Sequence, residues 1–442
     1  MTEAKTSTVA VSEQESFGWH HLLQKNVLII LLLGFSSGLP FPLVYSTLSA
    51  WLSEAGIELS TVSTFAWLGF AYSLKVAWAP LVDSLRLPVL TEWLGRRRAW
   101  MLLAQLSIGA SLVVLANTNP VTDIGAFALV AAAVAFSSAT QDIVVDAYRI
   151  ECADDRMQGV LAAAYQYGYR IAMLVGMAGA LALAEFASWS QTYMAMAGCM
   201  VIGVCATLWC KEPIVPIKAS IYAGLSAVEK VARWFQYAVA EPLLDFFKRF
   251  GWFALVVLSF IALYRISDYV MGILANPFYL EIGYTKLQVS AIAKVYGTWI
   301  TLLGVAAGAW AVLKLGVSRC LFSATVLIAS TNLFFAVMVL VGPEPWMLAV
   351  TITADNLANG FSGTVLIAYI SSLTNREFTA TQYALMSSIM SLLGKLVAGF
   401  SGNVQEAIGW LGFFLFAAAI GIPAIVLSLI VARRHKSLVG EH

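Results

Sequence analysis

Residues 127–151 read FALVAAAVAFSSATQDIVVDAYRIE. The first part of this stretch is apolar enough for the interior of a bilayer, but the second part contains Gln141, Asp142, Asp146 and Arg149. An Asp or Arg at the centre of a membrane helix costs about 2.5–3.5 kcal/mol on insertion scales. The stretch therefore predicts a membrane helix whose polar face meets water or charged partners inside a helix bundle rather than lipid.

The composition of the whole chain is that of a membrane protein. Of its 442 residues, 60% are hydrophobic and 12% are charged, and the net charge is +1. A soluble domain has about 25% charged residues, and a balanced charge gives no reason to expect a nucleic-acid partner. The five cysteines show no metal-ligand spacing, and the four histidines lie near the chain ends. We therefore expect neither a metal site nor histidine chemistry in the membrane.

Apolar stretches of about 20 residues, the length that crosses a bilayer, predict an all-α membrane protein with twelve spans. Their predicted ranges are 26–51, 60–82, 99–116, 124–150, 158–185, 189–210, 252–278, 287–313, 317–341, 346–372, 380–405 and 409–432. The even number places both termini on one side. Most Lys and Arg residues lie in the tails and the loops on that side, whereas Lys286 is alone in the loops on the other. By the positive-inside rule we expect both termini in the cytoplasm.

A long loop divides the chain into two groups of six spans. The predicted organisation is a cytoplasmic tail at 1–25, six spans within 26–210, a linker at 211–250, six spans within 251–432 and a cytoplasmic tail at 433–442. Residues 226–250 of the linker have an amphipathic pattern, so we expect a helix that lies along the membrane interface. An Ala-Tyr pair before the turns that follow spans 4 and 10 is a weak internal repeat.

Charged residues inside the spans occur on a subset of the helices. The cations are Lys75, Arg170, Arg265, Lys294 and Lys395, and the acids are Asp142, Asp146, Asp268 and Asp355. Spans 3, 6, 9 and 12 have none in their interiors, and we expect these four to face lipid while the other eight surround an aqueous pathway. Span 1 has no charged residue either, but its glycines and prolines are expected to free backbone groups that line a cavity. Arg265 and Asp268 are three residues apart, as are Asp146 and Arg149, so each pair can be neutralised within one helix. The excess of one cation favours an anionic solute.

Other residues are candidates for shaping, gating or lining that pathway. Gly38, Pro40 and Pro42 are expected to interrupt span 1 and free backbone groups for a cavity, although a packing kink would give the same pattern. The gating candidates are Asp83, Arg96, Arg97 and Arg98 around the loop after span 2, with Asp146 and Arg149 at the end of span 4. The solute-binding candidates are Gln141, Lys75, Arg170, Arg265, Lys294, Lys395, Tyr72, Tyr264, Asn356 and Asn359.

The segment SATQDIVVDAYRIE, with GYRIAML following in span 5, resembles the AmpG-type muropeptide permeases and, more distantly, the acetyl-CoA transporters of the endoplasmic reticulum. The resemblance extends to GFSSGLPFPLVYSTLSAWL, LKVAWAPLVD, ALYRISD and FTATQYALMSSIMSLLGKLVAGFSG. Where that family has Glu in span 10 and often Arg in span 11, this chain has Asp355 and Lys395, which keep the charge. The resemblance implies a major-facilitator fold of two pseudo-symmetric six-helix halves. It also implies proton-driven import of N-acetylglucosaminyl-anhydromuramyl peptides across the bacterial inner membrane in cell-wall recycling.

On this interpretation the protein is not an enzyme, and a proton gradient takes the place of a cofactor. Its partners would be a small anionic solute and the bilayer, and we expect a monomer. Asp142 is the first candidate for proton coupling, because burial favours a neutral carboxyl and a nearby cation favours an ionised one; Asp268 and Asp355 are the alternatives.

Three other functions remain open at this point. The first is uptake of another anionic, amide-rich solute such as a siderophore or a coenzyme A ester. The second is a membrane-bound transferase, against which the lack of intramembrane histidine and of a recognisable nucleophile–base pair argues. The third is a sensor that transports nothing, which would not need charges on so many helices.

The charge distribution generates a topology prediction. In a variant without native cysteines, Ser226→Cys and Ser437→Cys should be labelled only from the cytoplasm, and Ser188→Cys only from the periplasm, because Lys and Arg are retained inside. The measurement is labelling by a membrane-impermeant maleimide in intact cells and in inverted vesicles. Labelling of Ser437→Cys in intact cells would overturn the predicted orientation.

Overall fold

The computed structural model describes residues 24–154, 157–213, 236, 240–272 and 274–439. Within these ranges every regular element is a helix. The predicted N-terminal tail and most of the linker, including the first part of its predicted amphipathic helix, lie outside the described residues.

Twelve helical segments correspond to the predicted spans. The first six are span 1 (Lys25–Gly38, Pro40–Val44, Ser46–Glu54), span 2 (Leu59–Thr64, Phe65–Leu68, Gly69–Ser73, Lys75–Ala77, Ala79–Ser84), span 3 (Arg96–Ala116), span 4 (Ile124–Glu151), span 5 (Gln158–Leu174, Val175–Gly179, Ala180–Phe186) and span 6 (Trp189–Cys199, Val201–Trp209). The next four are span 7 (Phe253–Leu263, Ile266–Gly272, Ala275–Ile282), span 8 (Lys286–Gln288, Val289–Tyr296, Gly297–Leu315), span 9 (Val317–Val341) and span 10 (Pro345–Leu373).

The last two spans are divided by a glycine. Span 11 is Thr379–Ala398 and continues into Ser401–Ala419, where Gly409 has a positive φ of 70° and breaks the helix. Span 12 begins after Gly409 and continues through Ile422–Val439. Two shorter helices lie in loops, Leu90–Leu94 after span 2 and Glu241–Phe250 before span 7, which we call the linker helix.

Nine helices in the described part of the chain are long and apolar enough to cross a membrane. Span 2 is broken into short pieces, and spans 10 and 11 have more polar side chains, so these spans do not stand out by length and composition. Exposed apolar residues are found on the spans predicted to face lipid, for example Leu106 on span 3, Val201 on span 6, Leu340 on span 9 and Val426 on span 12. The chain is a multi-pass membrane protein.

Span 1 is interrupted where its glycine and prolines predict. Its helical pieces are separated at Leu39 and Tyr45, and Tyr45 has φ −123° and ψ −99°, outside the helical region. Pro40 and Pro42 have no N–H to donate to the preceding turn, so the helical hydrogen-bond ladder cannot pass through them. Span 1 is thus divided near Gly38, Pro40 and Pro42, and a role of the freed backbone groups in lining a cavity stays a prediction.

Span 1 also packs closely on span 5 through small residues. A Cβ atom on Gly34 would overlap the backbone carbonyl of Tyr165, and one on Gly38 would overlap that of Tyr169. A glycine every four residues lets two membrane helices approach until their backbones touch, which gives dispersion contacts that lipid cannot replace. The glycines therefore hold span 5, which contains Arg170, against span 1.

Both ends of the described chain lie on one side of the bundle. Lys25 Nζ is 5.2 Å from the Trp209 ring at the end of span 6, and the Arg434 guanidinium is 5.1 Å from the Phe253 ring at the start of span 7. We call this side the terminal face and the other side the opposite face. The linker helix lies at the terminal face and buries Phe246 in the core of the second half.

The glycine contact generates a stability prediction. Gly34→Ala should destabilise the protein by about 1–3 kcal/mol, the usual cost of overpacking a close contact. Gly109→Ala in span 3 is the matched control, because a Cβ there meets nothing within 4 Å. The measurement is the thermal midpoint of the detergent-solubilised protein, and equal midpoints for the two variants would contradict the packing role.

Candidate functional site

The two halves are joined at the terminal face by Asp83, the penultimate residue of span 2. Its carboxylate accepts hydrogen bonds from the backbone N–H of Ala380 at 3.2 Å, and from the N–H and hydroxyl of Thr381, both at 2.7 Å. These donors belong to the first turn of span 11. A carboxylate at a helix N-terminus satisfies free N–H groups and interacts favourably with the helix dipole. Asp83 thus attaches the first half to the second.

Arg97 holds Asp83 in that position. Its Nη2 lies 2.8 Å from Asp83 Oδ1 and 2.5 Å from Glu151 Oε1, and its Nε donates to Glu151 Oε2 at 2.9 Å. Arg97 is 1% exposed, so these pairs are shielded from water. Arg96 donates to the backbone carbonyl of Asp83. Removing one partner from such a buried network leaves a charge without compensation, which is strongly destabilising.

Arg98 points away from the interface between the halves. Its Nε and Nη2 donate to the carbonyl oxygens of Thr207 at 3.0 Å and Leu208 at 2.8 Å, at the end of span 6. Glu212 accepts from the backbone N–H of Arg97 at 2.8 Å and of Arg98 at 3.1 Å. These bonds satisfy free carbonyl groups at the C-terminus of span 6 and free N–H groups at the N-terminus of span 3, both within the first half. The gating role of Arg98 stays a prediction.

Arg149 makes a second connection between the halves. It is fully buried, its Nη1 donates to Ser371 Oγ of span 10 at 3.0 Å, and its guanidinium lies 5.4 Å from the Tyr383 ring of span 11. The predicted contact with Asp146 is confirmed at 3.7 Å, and Asp146 is also 3.6 Å from Lys75 Nζ. The charges at the polar end of span 4 are therefore paired within spans 2 and 4, and Arg149 is also hydrogen-bonded to span 10.

Asp142 lies one helical turn deeper than Asp146. It is 8% exposed, with the Ser37 hydroxyl and the charge of Lys75 within reach. Its Oδ1 has no hydrogen-bond partner among the residues described. The neighbouring Gln141 is fully buried and donates to Ser36 at 3.0 Å and to Ser37 at 3.3 Å. The Gln141 amide is thus used in packing span 4 on span 1.

Two arginines lie near the middle of the bundle. Arg265 donates to Asp268 Oδ2 through Nε at 3.1 Å and Nη2 at 2.8 Å, which confirms the predicted pair. Arg170 of span 5 is close enough for the two positive charges to repel. No carboxylate in the described ranges forms an ion pair with Arg170. One positive charge at the interface between the halves therefore stays uncompensated.

A cavity of about 180 Å³ lies beside the Arg265–Asp268 pair in the second half. Besides the Tyr279 ring with its hydroxyl, the polar lining residues are Asp268, Asn276, Lys294, Asp355, Asn356 and Asn359. Five of these six were predicted from the sequence as pathway residues, and Asn276 was not. The Asn359 amide donates to Asp268 at 3.2 Å, and Asn356 accepts from the Thr301 hydroxyl at 2.8 Å. The structure thus brings the sequence candidates of spans 7, 8 and 10 together.

The remaining candidates are placed outside this cavity lining. Lys395 Nζ donates to Ser73 Oγ at 2.6 Å and connects span 11 to span 2. The Tyr72 ring packs on Phe41, with 5.5 Å between centroids. Tyr264 is 1% exposed, and its hydroxyl donates to a carbonyl oxygen of span 10 at 3.1 Å. Solute binding by these three side chains stays a prediction.

Sequence reasoning assigned no role to Glu151, Glu212 or Gln382. Gln382 Nε2 donates to the carbonyl of Pro242 at 2.9 Å, and its Oε1 accepts from Arg249 at 2.9 Å, which ties the linker helix to span 11. Glu151 and Gln382 each lie in one of the stretches that carried the resemblance, and that was the available signal. Their partners are too far away in the chain for spacing to reveal them.

Comparison with known proteins places the chain among transporters. The sequence profile of the Major Facilitator Superfamily matches residues 27–396. A Rickettsia felis transporter named AmpG 4 is 36% identical over 92% of this chain and 96% of its own length. The anhydromuropeptide permease of Escherichia coli K12 is 32% identical over 91% of this chain and 79% of its own length.

Solved structures agree on the fold. The proton:xylose symporter XylE superposes with a TM-score of 0.63 at 13% identity, covering 92% of this chain and 94% of its own. The human organic anion transporter MFSD10 superposes with a TM-score of 0.61 at 15% identity, covering 92% of this chain and 99% of its own. At these identities the likeness concerns the fold alone.

The Asp83 contacts generate a gating prediction. Asp83→Asn removes charge-assisted hydrogen bonds worth about 1.5–3 kcal/mol each. The conformational equilibrium should therefore shift about tenfold or more towards states in which the halves are separated at the terminal face. Spin labels at Leu85→Cys and Lys314→Cys, in opposite halves, should report a longer distance by double electron–electron resonance. Glu92→Gln, an exposed acid in the same loop, is the control, and an unchanged distance in Asp83→Asn would refute the gating role.

Proposed function

We propose that this protein imports an anhydromuropeptide into the cytoplasm. The premise is that the chain belongs to the Major Facilitator Superfamily and, within it, to the AmpG-type transporters. The chain is a transporter rather than an enzyme. In this proposal a proton gradient drives transport, and the protein acts as a monomer in the bacterial inner membrane. The observation that carries the proposal is Arg170, a positive charge at the centre of the bundle without a carboxylate partner in the described ranges.

An acidic solute would supply the missing counter-charge. A guanidinium makes two parallel hydrogen bonds to a carboxylate, and such pairs are strong where water is excluded. Arg265 is already held by Asp268, so Arg170 is the arginine that is free to bind a solute. The name of the E. coli relative supports a muropeptide as that solute. In the proposal, a carboxylate of its peptide binds Arg170.

The orientation in this proposal places the terminal face in the cytoplasm. The Lys and Arg distribution supports it through the positive-inside rule. The contacts of Asp83 and Arg149 then close the pathway on the cytoplasmic side, while the cavity lined by Lys294 and Asp355 lies nearer to the periplasm. This arrangement is suited to receiving a solute from the periplasm.

Uptake into vesicles tests the proposed function. Proteoliposomes with an inward proton gradient should accumulate labelled anhydromuropeptide, and should not accumulate a ferric siderophore or acetyl-CoA. Dissipating the gradient with a protonophore should abolish the accumulation. Accumulation of acetyl-CoA or the siderophore in preference to the muropeptide would reject the proposed solute.

The proposed contact with Arg170 makes a specific prediction. Arg170→Gln should raise the apparent KM about tenfold or more for the acidic muropeptide, because a hydrogen bond to a charged group is worth about 1.5–3 kcal/mol. The apparent KM for an analogue with amidated carboxylates should rise much less. Lys314→Gln, an exposed cation at the end of span 8, is the control. An equal rise in the apparent KM for both solutes would mean that Arg170 acts in folding or gating.

Proton coupling is proposed for Asp142. Asp142→Asn should abolish accumulation driven by a pH gradient but keep exchange of solute across the membrane, because the neutral amide mimics the protonated carboxyl. Asp146→Asn should slow both processes, since Asp146 contacts Lys75 and Arg149. Accumulation and counterflow in proteoliposomes separate these cases. Near-normal accumulation by Asp142→Asn would refute its role, and Asp268 and Asp355 would then be examined.

A further inference from the structure

Two side-chain hydrogen bonds join span 5 to the second half about one helical turn from Arg170. Gln166 Nε2 donates to Thr364 Oγ1 of span 10 at 2.7 Å. The Tyr167 hydroxyl donates to the carbonyl oxygen of Leu302 in span 8, also at 2.7 Å. Residues three and four apart lie on the same face of a helix. Gln166 and Tyr167 therefore face the second half on the same side of span 5 as Arg170.

The contact between spans 5 and 8 continues from these bonds towards the terminal face. A Cβ atom on Gly159, in the first turn of span 5, would lie 2.9 Å from Val312 Cγ1 of span 8. In the other direction, Arg170 is close enough to Arg265 for the two positive charges to repel. The two hydrogen bonds thus lie at the inner end of the joined interface, next to the central charges.

The amide of Gln166 has hydrogen-bonding capacity that the protein does not use. Gln166 is half-buried, and no donor among the described residues bonds to its Oε1. Thr364, by contrast, is fully buried, and its hydroxyl also donates to the carbonyl of Gly360 in its own helix at 3.1 Å. A side-chain amide can donate and accept at the same time. Here the donor side joins the halves, and the acceptor side is free.

The spacing of Gln166 and Arg170 matches the end of a peptide. Side chains four residues apart on a helix have Cβ atoms about 5–6 Å apart, and successive Cα atoms of a peptide are about 3.8 Å apart. A peptide with its terminal carboxylate at Arg170 would therefore place its last peptide bond beside Gln166. That peptide bond offers one N–H and one carbonyl oxygen, which complement the two sides of the amide.

We propose that Gln166 binds the last peptide bond of the solute, and that this contact replaces its bond to Thr364. Gln166 Oε1 accepts from the peptide N–H, and Nε2 donates to the peptide carbonyl. The inference rests on the proposed function, because it takes a peptide carboxylate of the solute to be at Arg170. A ligand shifts a conformational equilibrium through its different affinity for the two states. By releasing a bond between the halves, the solute itself favours their separation.

Two variants that break the same bond distinguish solute binding from packing. Gln166→Leu removes the bond together with the amide, whereas Thr364→Val removes the bond and leaves the amide free. Both should lengthen the distance between spin labels at Leu85→Cys and Lys314→Cys to a similar extent. The dissociation constant of the anhydromuropeptide, measured by titration calorimetry, should be about tenfold higher in Gln166→Leu than in Thr364→Val. Equal dissociation constants in the two variants would overturn the inference.

A change in the solute tests the same contact from the other side. An ester in place of the last peptide bond removes the N–H that donates to Gln166. The wild type should bind this analogue about threefold or more weakly than the amide, and Gln166→Leu should bind both equally. The control is Thr325→Val in span 9, which removes a buried hydroxyl that donates to the Leu321 carbonyl of its own helix at 2.7 Å. It should keep the wild-type preference. A preference for the amide that persists in Gln166→Leu would contradict the proposed contact.

A failure of the proposed function gives a different result, because the wild type then binds none of the muropeptides. The probe in that case is N-acetyl-alanyl-alanine, which has a peptide bond next to a terminal carboxylate. Its binding to the purified protein is measured by saturation-transfer NMR. Binding that Thr364→Val keeps and Gln166→Leu loses supports the inference. Equal binding by the two variants, or no binding to the wild type, overturns it.

Discussion

Removing a charged side chain from water costs several kcal/mol unless a counter-charge or hydrogen bonds replace its hydration shell. The arrangement of this protein follows from that cost. At the terminal face, Asp83 and Glu151 are paired with Arg97, with the charge of Arg96 beside them, and Asp83 also accepts hydrogen bonds from the first turn of span 11. Near the centre, Arg170 has no such partner among the described residues. The bundle thus contains a closed, neutralised end and a central charge that is available to a solute.

The same cost connects the terminal face to the centre of the bundle. Arg149 reaches Ser371 in the other half, and Asp146 contacts both Arg149 and Lys75. Asp142 lies between this network and the centre, where the charge of Lys75 still acts on it. Separating the halves at the terminal face would break the bond between Arg149 and Ser371 and change the surroundings of Asp142. A carboxyl in that position is suited to respond to which side of the protein is open.

Local patterns in the sequence predicted the fold and the short-range contacts. Apolar length predicted the spans, and a separation of three residues predicted the pair of Arg265 and Asp268, because these features depend on one helix. The attachment of Asp83 to span 11 and the burial of Gln141 against span 1 depend on helices distant in the chain. Periodicity does not contain that information. For the same reason the role of Glu151 could not be predicted, because its partner Arg97 lies on another span.

In the proposed function, the solute supplies the counter-charge for Arg170 in the middle of the bundle. A cryo-electron microscopy structure of the protein with a bound anhydromuropeptide tests it most directly. The account predicts a peptide carboxylate of the solute within hydrogen-bond distance of the Arg170 guanidinium, with the Arg265–Asp268 pair still intact. A bound solute whose carboxylates lie away from Arg170, with that guanidinium facing only protein groups, would contradict it.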